Sequence, residues 1–377
     1  MRWSAVLLLW GCTNGKDTAP EGGDSGAGGD TGVVEDTEFE DISALLESMR
    51  DRHDLPSVSA AVMSGDNVIA QGVTGVRKVG DGAPAEASDR YFLGSGSRAM
   101  TAALMGVLVE EGTIGWDRAL SVVFPSLSLH PDYEDVTLSM LLLHEGGAWS
   151  DLSAHPKAWE TLSKGAGSRA AFAAEMLSQP PEYTPGGSWA ESDAGYVVVG
   201  AAMEEVTGRA WEDLVAEKVF DPLGMNSCGF GAPDDGSVSA PWGHDDKRVP
   251  VEPAAVDAAS PAALGPAGTI HCDMADWGRF AAAHLAGARG ESEWLTADTF
   301  RRLHAVGSQS HAMGWVVTER TWAKGAAFSH TGDSSAFYSV IWLAPQLDRA
   351  WLVSTNTSDG QDGTDAVLNL LIKAYAE

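Results

Sequence analysis

In the segment YFLGSGSRAM, Tyr91–Met100, Gly94 and Gly96 flank Ser95 immediately before a long apolar run. A serine placed between glycines at the start of a helix suits a nucleophile, whose oxygen attacks a carbonyl once a base has taken its proton. The same position also suits a plain helix N-cap, where a serine oxygen accepts an orphan backbone N–H. The basic residue one helical turn further on is Arg98, on the same face as Ser95. Arginine cannot receive the proton, because its guanidinium stays charged at any pH a folded protein survives. A nucleophilic Ser95 therefore needs another base.

The elements that would position Ser95 can be read from periodicity. DISALLESMRDRH sets Ile42, Leu45, Leu46 and Met49 at helical spacing, and SVSAAVMSGDNVIAQGVTG alternates like two strands joined at residues 64–67. From Ser97 to Glu111 the pattern is apolar nearly all round, which predicts a buried helix stopped by Gly112. Helical patterns, among them SRAAFAAEML and AGYVVVGAAMEEVTG, continue to about Val219. AAFSHTG, SAFYSVIWLA and RAWLVSTNT then read as strands, and DAVLNLLIKAYA closes the chain as an amphipathic helix. The expectation is an α+β domain over residues 41–377. Its antiparallel sheet lobe, about 41–95 and 255–377, is flanked by terminal helices and interrupted by a helical lobe of about 96–254.

Composition narrows the function classes. Against 53 acidic residues there are only 24 basic ones, a formal net charge of -29 that argues against nucleic acid as a partner. The N-terminal MRWSAVLLLWGC has one basic residue, a short apolar run and then Cys12, the order of a bacterial lipoprotein signal in which the cysteine carries lipid. The Gly/Asp-rich stretch over residues 13–40 cannot bury a core and reads as a solvated tether. The expected location is the bacterial cell envelope, periplasmic or surface-exposed, with a lipid anchor as the membrane partner. Cys228 and Cys272 remain: an oxidising compartment would permit them to pair, the sequence leaves that open, and both read as small core or surface residues; no metal-ligand spacing such as C-x-x-C occurs.

Taken in order, LPSVSAAVMSGDNVIAQGVTGVR, LVEEGTIGWDRAL, LLLHEGG, DPLGMNSCGFG, PAGTIHCDMADWGRFAAAHLAG and HAMGWVV resemble the serine beta-lactamase-related family. That group holds class C beta-lactamases, penicillin-binding proteins of the D-Ala-D-Ala carboxypeptidase type, and their esterase and peptidase relatives. The resemblance covers nearly the whole chain after the tether. It implies a beta-lactamase/transpeptidase-like fold, a serine nucleophile and no cofactor, with a beta-lactam, a peptide or an ester as substrate.

Three motifs carry the chemistry in that family, and the resemblance assigns each to residues here. Ser-x-x-Lys reads Ser95-Gly96-Ser97-Arg98, so the lysine that helps deprotonate the serine is missing. Tyr-x-Asn reads Glu191-Ser192-Asp193, with Gly195 and Tyr196 matching the following Gly-Tyr; Tyr196 is expected in the core. His-Thr-Gly is intact as His330-Thr331-Gly332, on a strand that in the family gives a backbone N–H to the oxyanion beside that of the serine itself. Ser95 is then expected to face the His330 strand across a cleft, with Arg98 paired bidentately to Glu191. His144 is expected to hold a loop, and Trp149 and Trp189 lie near the motifs. Two functions follow: a divergent serine hydrolase in which His330 is the base, oriented by Glu191 or Asp193, or a lipid-anchored binding protein that has kept the cleft and lost the chemistry. Oligomeric state is not legible.

Overall fold

The computed structural model describes residues 39–376, so Cys12, the signal and the tether up to residue 38 lie outside the described residues. An eight-stranded sheet runs in the order Glu40–Asp41, Asn67–Gly75, Ser57–Ser64, Arg349–Thr355, Tyr338–Ala344, Gly325–Asp333, Trp315–Arg320, His311–Ala312. All its pairings are antiparallel except that of Glu40–Asp41 with Asn67–Gly75. One face is covered by the first helix, Ser43–His53, and the last, Gln361–Tyr375. On the other side Met274–Arg289 packs on the sheet, and the helical lobe lies beyond it. Among the described residues no helix is long and apolar enough to cross a membrane.

Local chemistry explains why the elements fall here. The hairpin turn uses Gly65 at φ 57°, a conformation that glycine adopts without steric cost. Ser97–Glu110 is helical and buried on nearly every side, from Ser97 to Gly106 and at Leu108, as an all-round apolar sequence requires. The strand carrying Tyr338 begins later than its apolar pattern does. Ser334 ties a tight turn first, its Oγ accepting from the N–H groups of Ala336 (3.2 Å) and Phe337 (3.0 Å).

The sequence leaves the pairing of the two remaining cysteines open, and the structure decides it. Cys228 and Cys272 form a disulfide, closing a separation of 44 residues. A small sheet brings them together: Gly229 opposes His271 and Phe230 opposes Ile270, so the register carries Cys228 opposite Cys272. The other edge of that sheet pairs Tyr91 with Cys272 and Phe92 with His271, which leads straight into the Ser95 turn. In the helical lobe the fully buried Arg169 acts as a cross-brace. It donates to Glu204 (2.6 Å), to Glu212, and to the carbonyls of Ala262 (2.7 Å) and Ala263 (3.0 Å).

Candidate active site

Ser95 sits in a single 3-10 turn, Gly94–Gly96, that runs directly into the buried helix Ser97–Glu110. Leu93 donates its N–H to the Ile270 carbonyl (2.9 Å), and Gly96 donates to the Leu93 carbonyl (3.0 Å). Ser97 locks the turn from behind: its hydroxyl donates to the Gly94 carbonyl (2.9 Å) and accepts from the Ile270 N–H (3.0 Å). Ser97 is thus spent on structure, while Ser95 is left half-buried at the front.

The strand Gly325–Asp333 is pressed against this turn. A Cβ on Gly332 would lie 1.8 Å from the Leu93 carbonyl oxygen, and one on Gly94, at φ 52°, 2.7 Å from that of Asp333. Only glycine allows backbone to meet backbone this closely. The nucleophile turn and the strand that carries His330 and Thr331 therefore share one wall.

Arg98, one turn beyond Ser95, is buried, with 5% of its side chain exposed. One terminal nitrogen donates to Glu191 and the other to Asp193 at 2.6 Å. The expected bidentate pair with Glu191 is thus corrected to a fork shared by two carboxylates. The backbone gives the reason: Ser192 is extended (φ -149°, ψ 115°), so residues 191 and 193 project the same way while Ser192 turns inward to the Trp149 carbonyl (2.6 Å). Burial opposes the Arg98 cation, but Asp193 and Glu191 outweigh it and hold its pKa above the ordinary value. Burial likewise opposes the Glu191 charge, yet Arg98, then His330 and His311, hold its carboxyl below the usual range. Arg98 also lies 5.7 Å from the Tyr196 ring centre. Tyr196 is fully buried and donates to the Leu142 carbonyl (2.9 Å).

His330 is half-buried, and its Nδ1 lies 2.7 Å from the Gly314 carbonyl. A carbonyl only accepts, so Nδ1 carries the proton and Nε2 the lone pair. The orienting partner is therefore this carbonyl, not Glu191 or Asp193 as expected, because Arg98 already holds both carboxylates. Burial first and the Arg98 cation second push the His330 pKa down to about 4, so the ring is a neutral proton acceptor at pH 7.

His144 accepts the Ser192 N–H on Nδ1 (3.0 Å), and its own carbonyl accepts from Ala190 (3.1 Å), so it ties the Glu191 loop to its neighbour. Burial, then Arg98 and the other two histidines, hold its pKa well below the ordinary value. Trp149 is a core residue, stacked on His155 at 3.8 Å. Trp189 instead faces His311, with ring centres 4.3 Å apart. Sequence reasoning missed His311: HAMGWVV served there only as a family marker. Arg98, His144, Glu191, His311, His330 and Thr331 line one small cavity of about 80 Å³. Among the described residues no cluster of His, Cys, Asp or Glu is placed to hold a metal ion.

The comparisons with known proteins agree with this architecture. The family model described as Beta-lactamase matches residues 42–374. The chain belongs to the beta-lactamase family. Among curated relatives of this beta-lactamase-family chain, Penicillin-binding protein 4 of Amycolatopsis lactamdurans is 27% identical over 323 residues, 80% of each chain. Unguisins hydrolase ungD' of Aspergillus campestris is 23% identical over 89% of this chain and 65% of its own length. Lovastatin esterase of Penicillium rubens is 25% identical over 40% of this chain and 42% of its own. The octameric penicillin-binding protein homologue from Pyrococcus abyssi superposes with a TM-score of 0.70 at 19% identity, covering 88% of this chain and 76% of that one. A D-stereospecific amidohydrolase from Streptomyces gives 0.64 at 19% identity, over 86% and 97%. These structures share the beta-lactamase/transpeptidase-like fold, the α+β arrangement of helices about a multi-stranded sheet. That family is generally of the serine hydrolase type.

Proposed function

We propose that the protein is an exported, lipid-anchored serine hydrolase that cleaves an ester or amide through an acyl-enzyme at Ser95, with His330 as the base. The observation that carries this reading is the His330 tautomer: with Nδ1–H committed to the Gly314 carbonyl, Nε2 offers a lone pair on the strand packed against the Ser95 turn. As the Oγ–C bond forms, Nε2 takes the serine proton, while backbone N–H groups of Ser95 and the Thr331–Gly332 strand receive the oxyanion. Glu191 and Asp193 act through Arg98, which they fix in place, and Arg98 takes no proton. The imidazolium must form beside this permanent cation, which slows the step compared with a base free of such a neighbour. The names of the curated relatives, a penicillin-binding protein and an esterase among them, support a peptide, beta-lactam or ester as substrate class.

Export is supported by the Cys228–Cys272 disulfide, since such bonds persist in oxidising compartments. Cys12 is the proposed lipid site. A palmitate analogue fed to the producing bacterium should mark the natural protein and not Cys12→Ser; equal labelling of both would refute the anchor.

The Arg98 clamp also favours a second reading, a binding protein whose cleft has lost its chemistry, because the usual titratable base is replaced by a group that cannot titrate. Intact mass measurement after exposure to a fluorophosphonate and to a penicillin separates the two. A covalent adduct on the natural protein that vanishes in Ser95→Ala supports the hydrolase. No adduct with either reagent supports the binding protein.

A further inference from the structure

We propose that His311 is a second acid–base residue of this site, one that delivers a proton to the leaving group. The proposal rests on the reading of Ser95 as nucleophile. His311 opens the edge strand His311–Ala312, and its ring lines the same cavity as Arg98, Glu191 and His330. Its Nδ1 lies 2.8 Å from the Gln309 carbonyl, so Nδ1 carries the proton and Nε2 the lone pair. Among the described residues Nε2 has no hydrogen-bond partner.

The segment before His311 is built to present the ring. Gln309 (φ 55°) and Ser310 (φ 61°) are consecutive non-glycine residues in the left-handed region, an arrangement that persists only where its surroundings impose it. Here Ser308 donates its N–H to the Glu145 carboxylate (2.7 Å), and Gly307 donates to the His311 carbonyl (2.8 Å). The Trp189 ring lies 4.3 Å away at 38° and that of His144 6.3 Å away at 84°. The charged and titratable groups around it are Glu191, Arg98, His330 and His144, and the Glu191 carboxylate lies within electrostatic reach of both His311 and His330.

The proton balance is complete with water as the only co-reactant. His330 Nε2 takes the Ser95 proton as the Oγ–C bond forms. A cavity of about 80 Å³ has room for about two water molecules, taking ~30 Å³ each, and one of them relays the proton to His311 Nε2. His311 gives it to the leaving oxygen or nitrogen as that bond to carbon breaks. In deacylation a water proton travels the opposite way, back to the Ser95 oxygen. This divides the work between a histidine crowded by Arg98, which accepts a proton only briefly, and one set between Glu191 and an aromatic face.

Leaving-group sensitivity tests the proposal. Phenyl butyrate and ethyl butyrate share an acyl group, but phenoxide departs with little help whereas ethoxide needs a proton. General acid catalysis is worth about 10²–10⁴ in rate. We expect His311→Gln to raise the phenyl-to-ethyl ratio of kcat/KM, which reports acylation alone, by roughly tenfold or more over the natural protein. His311→Asn should do the same, and His330→Gln should lower both rates alike. The ratio is taken within one variant, so a misfolded fraction, which removes both activities together, does not imitate the effect. A ratio within about twofold of the natural value in both His311 variants overturns the proposal, provided Ser95→Ala is inactive. Turnover retained by Ser95→Ala, or absent from the natural protein on both esters, overturns the nucleophile reading and this inference with it.

Discussion

Removing the two carboxylates that clamp Arg98, one at a time and together, tests how the site holds its shape. Arg98 is 5% exposed in its side chain, whereas Glu191 and Asp193 are 56% and 43% exposed. The carboxylates are therefore largely hydrated and the guanidinium is not. Glu191→Gln keeps an acceptor oxygen near Arg98 and leaves Asp193 as counter-charge, so we predict a loss of about 1 kcal/mol, the range of an exposed ion pair. Asp193→Asn should cost about the same, with a few tenths more because Asp193 lies in the first turn of the helix Asp193–Thr207. With both replaced, a buried cation has no counter-charge, a condition that costs about 3–5 kcal/mol. The double variant should thus lose about 1–3 kcal/mol more than the sum of the singles. Arg98→Met removes the buried charge and lets both carboxylates face water, and should fall within about 1 kcal/mol of the natural protein. Urea titrations followed by tryptophan fluorescence, with slopes compared across the four carboxylate combinations, give the coupling. Single and double losses that add within about 0.5 kcal/mol would refute the shared clamp.

Other consequences are independent of it. Reducing the disulfide, or replacing Cys228 and Cys272 by serine, frees a loop of 44 residues and should destabilise the domain by about 4 kcal/mol; an unchanged melting temperature in reductant would contradict this. Arg169→Ala leaves Glu204 and Glu212, each 21% exposed in its side chain, without their shared cation, and should cost about 3–5 kcal/mol, while Arg169→Met refills the space but leaves the same carboxylates unpaired and should lose nearly as much; a Met variant within about 1 kcal/mol of the natural protein would deny the electrostatic account. His330 and His271 are held by burial at about 4 and His304 at about 3, so the unfolded chain binds more protons below about 6.5. Their stabilisation is therefore complete above about pH 6.5 and declines towards pH 4; a melting temperature that stays flat or rises as pH falls from 6.5 to 4.5 would overturn it.

Much of the frame was legible because its signals are local. Gly65 and Gly112 both take positive φ where the sequence placed a turn and a helix end. The apolar run after Ser97 is the helix that carries Arg98, and the Arg98 contact with Glu191 followed from the need of a buried cation for an anion. What stayed hidden depends on backbone atoms and on distant chain. The His330 ring is oriented by the Gly314 carbonyl, and a carbonyl has no residue signature. Asp193 joins the fork only because Ser192 is extended, which a helix-start pattern does not show. The disulfide needed the register of a three-stranded sheet assembled from residues 91–92, 229–230 and 270–272.

The hidden part is also what the proposed chemistry depends on. Arg98 carries a charge but no removable proton, and Glu191 has a carboxyl held ionised by its neighbour. Both positions are thereby frozen in one protonation state across the neutral range. On the proposed reading a proton that leaves Ser95 passes to an imidazole, and three line this cavity: His330 on the sheet, His311 on its edge and His144 in the loop. His144 already spends Nδ1 on the Ser192 N–H, a bond that an added proton would break, which would loosen the Glu191–Asp193 segment that fixes Arg98. His330 and His311 hold Nδ1–H on carbonyls and keep that bond in either state. Among the described residues lining the cavity, these are the two that the proposed proton path can use without dismantling the site.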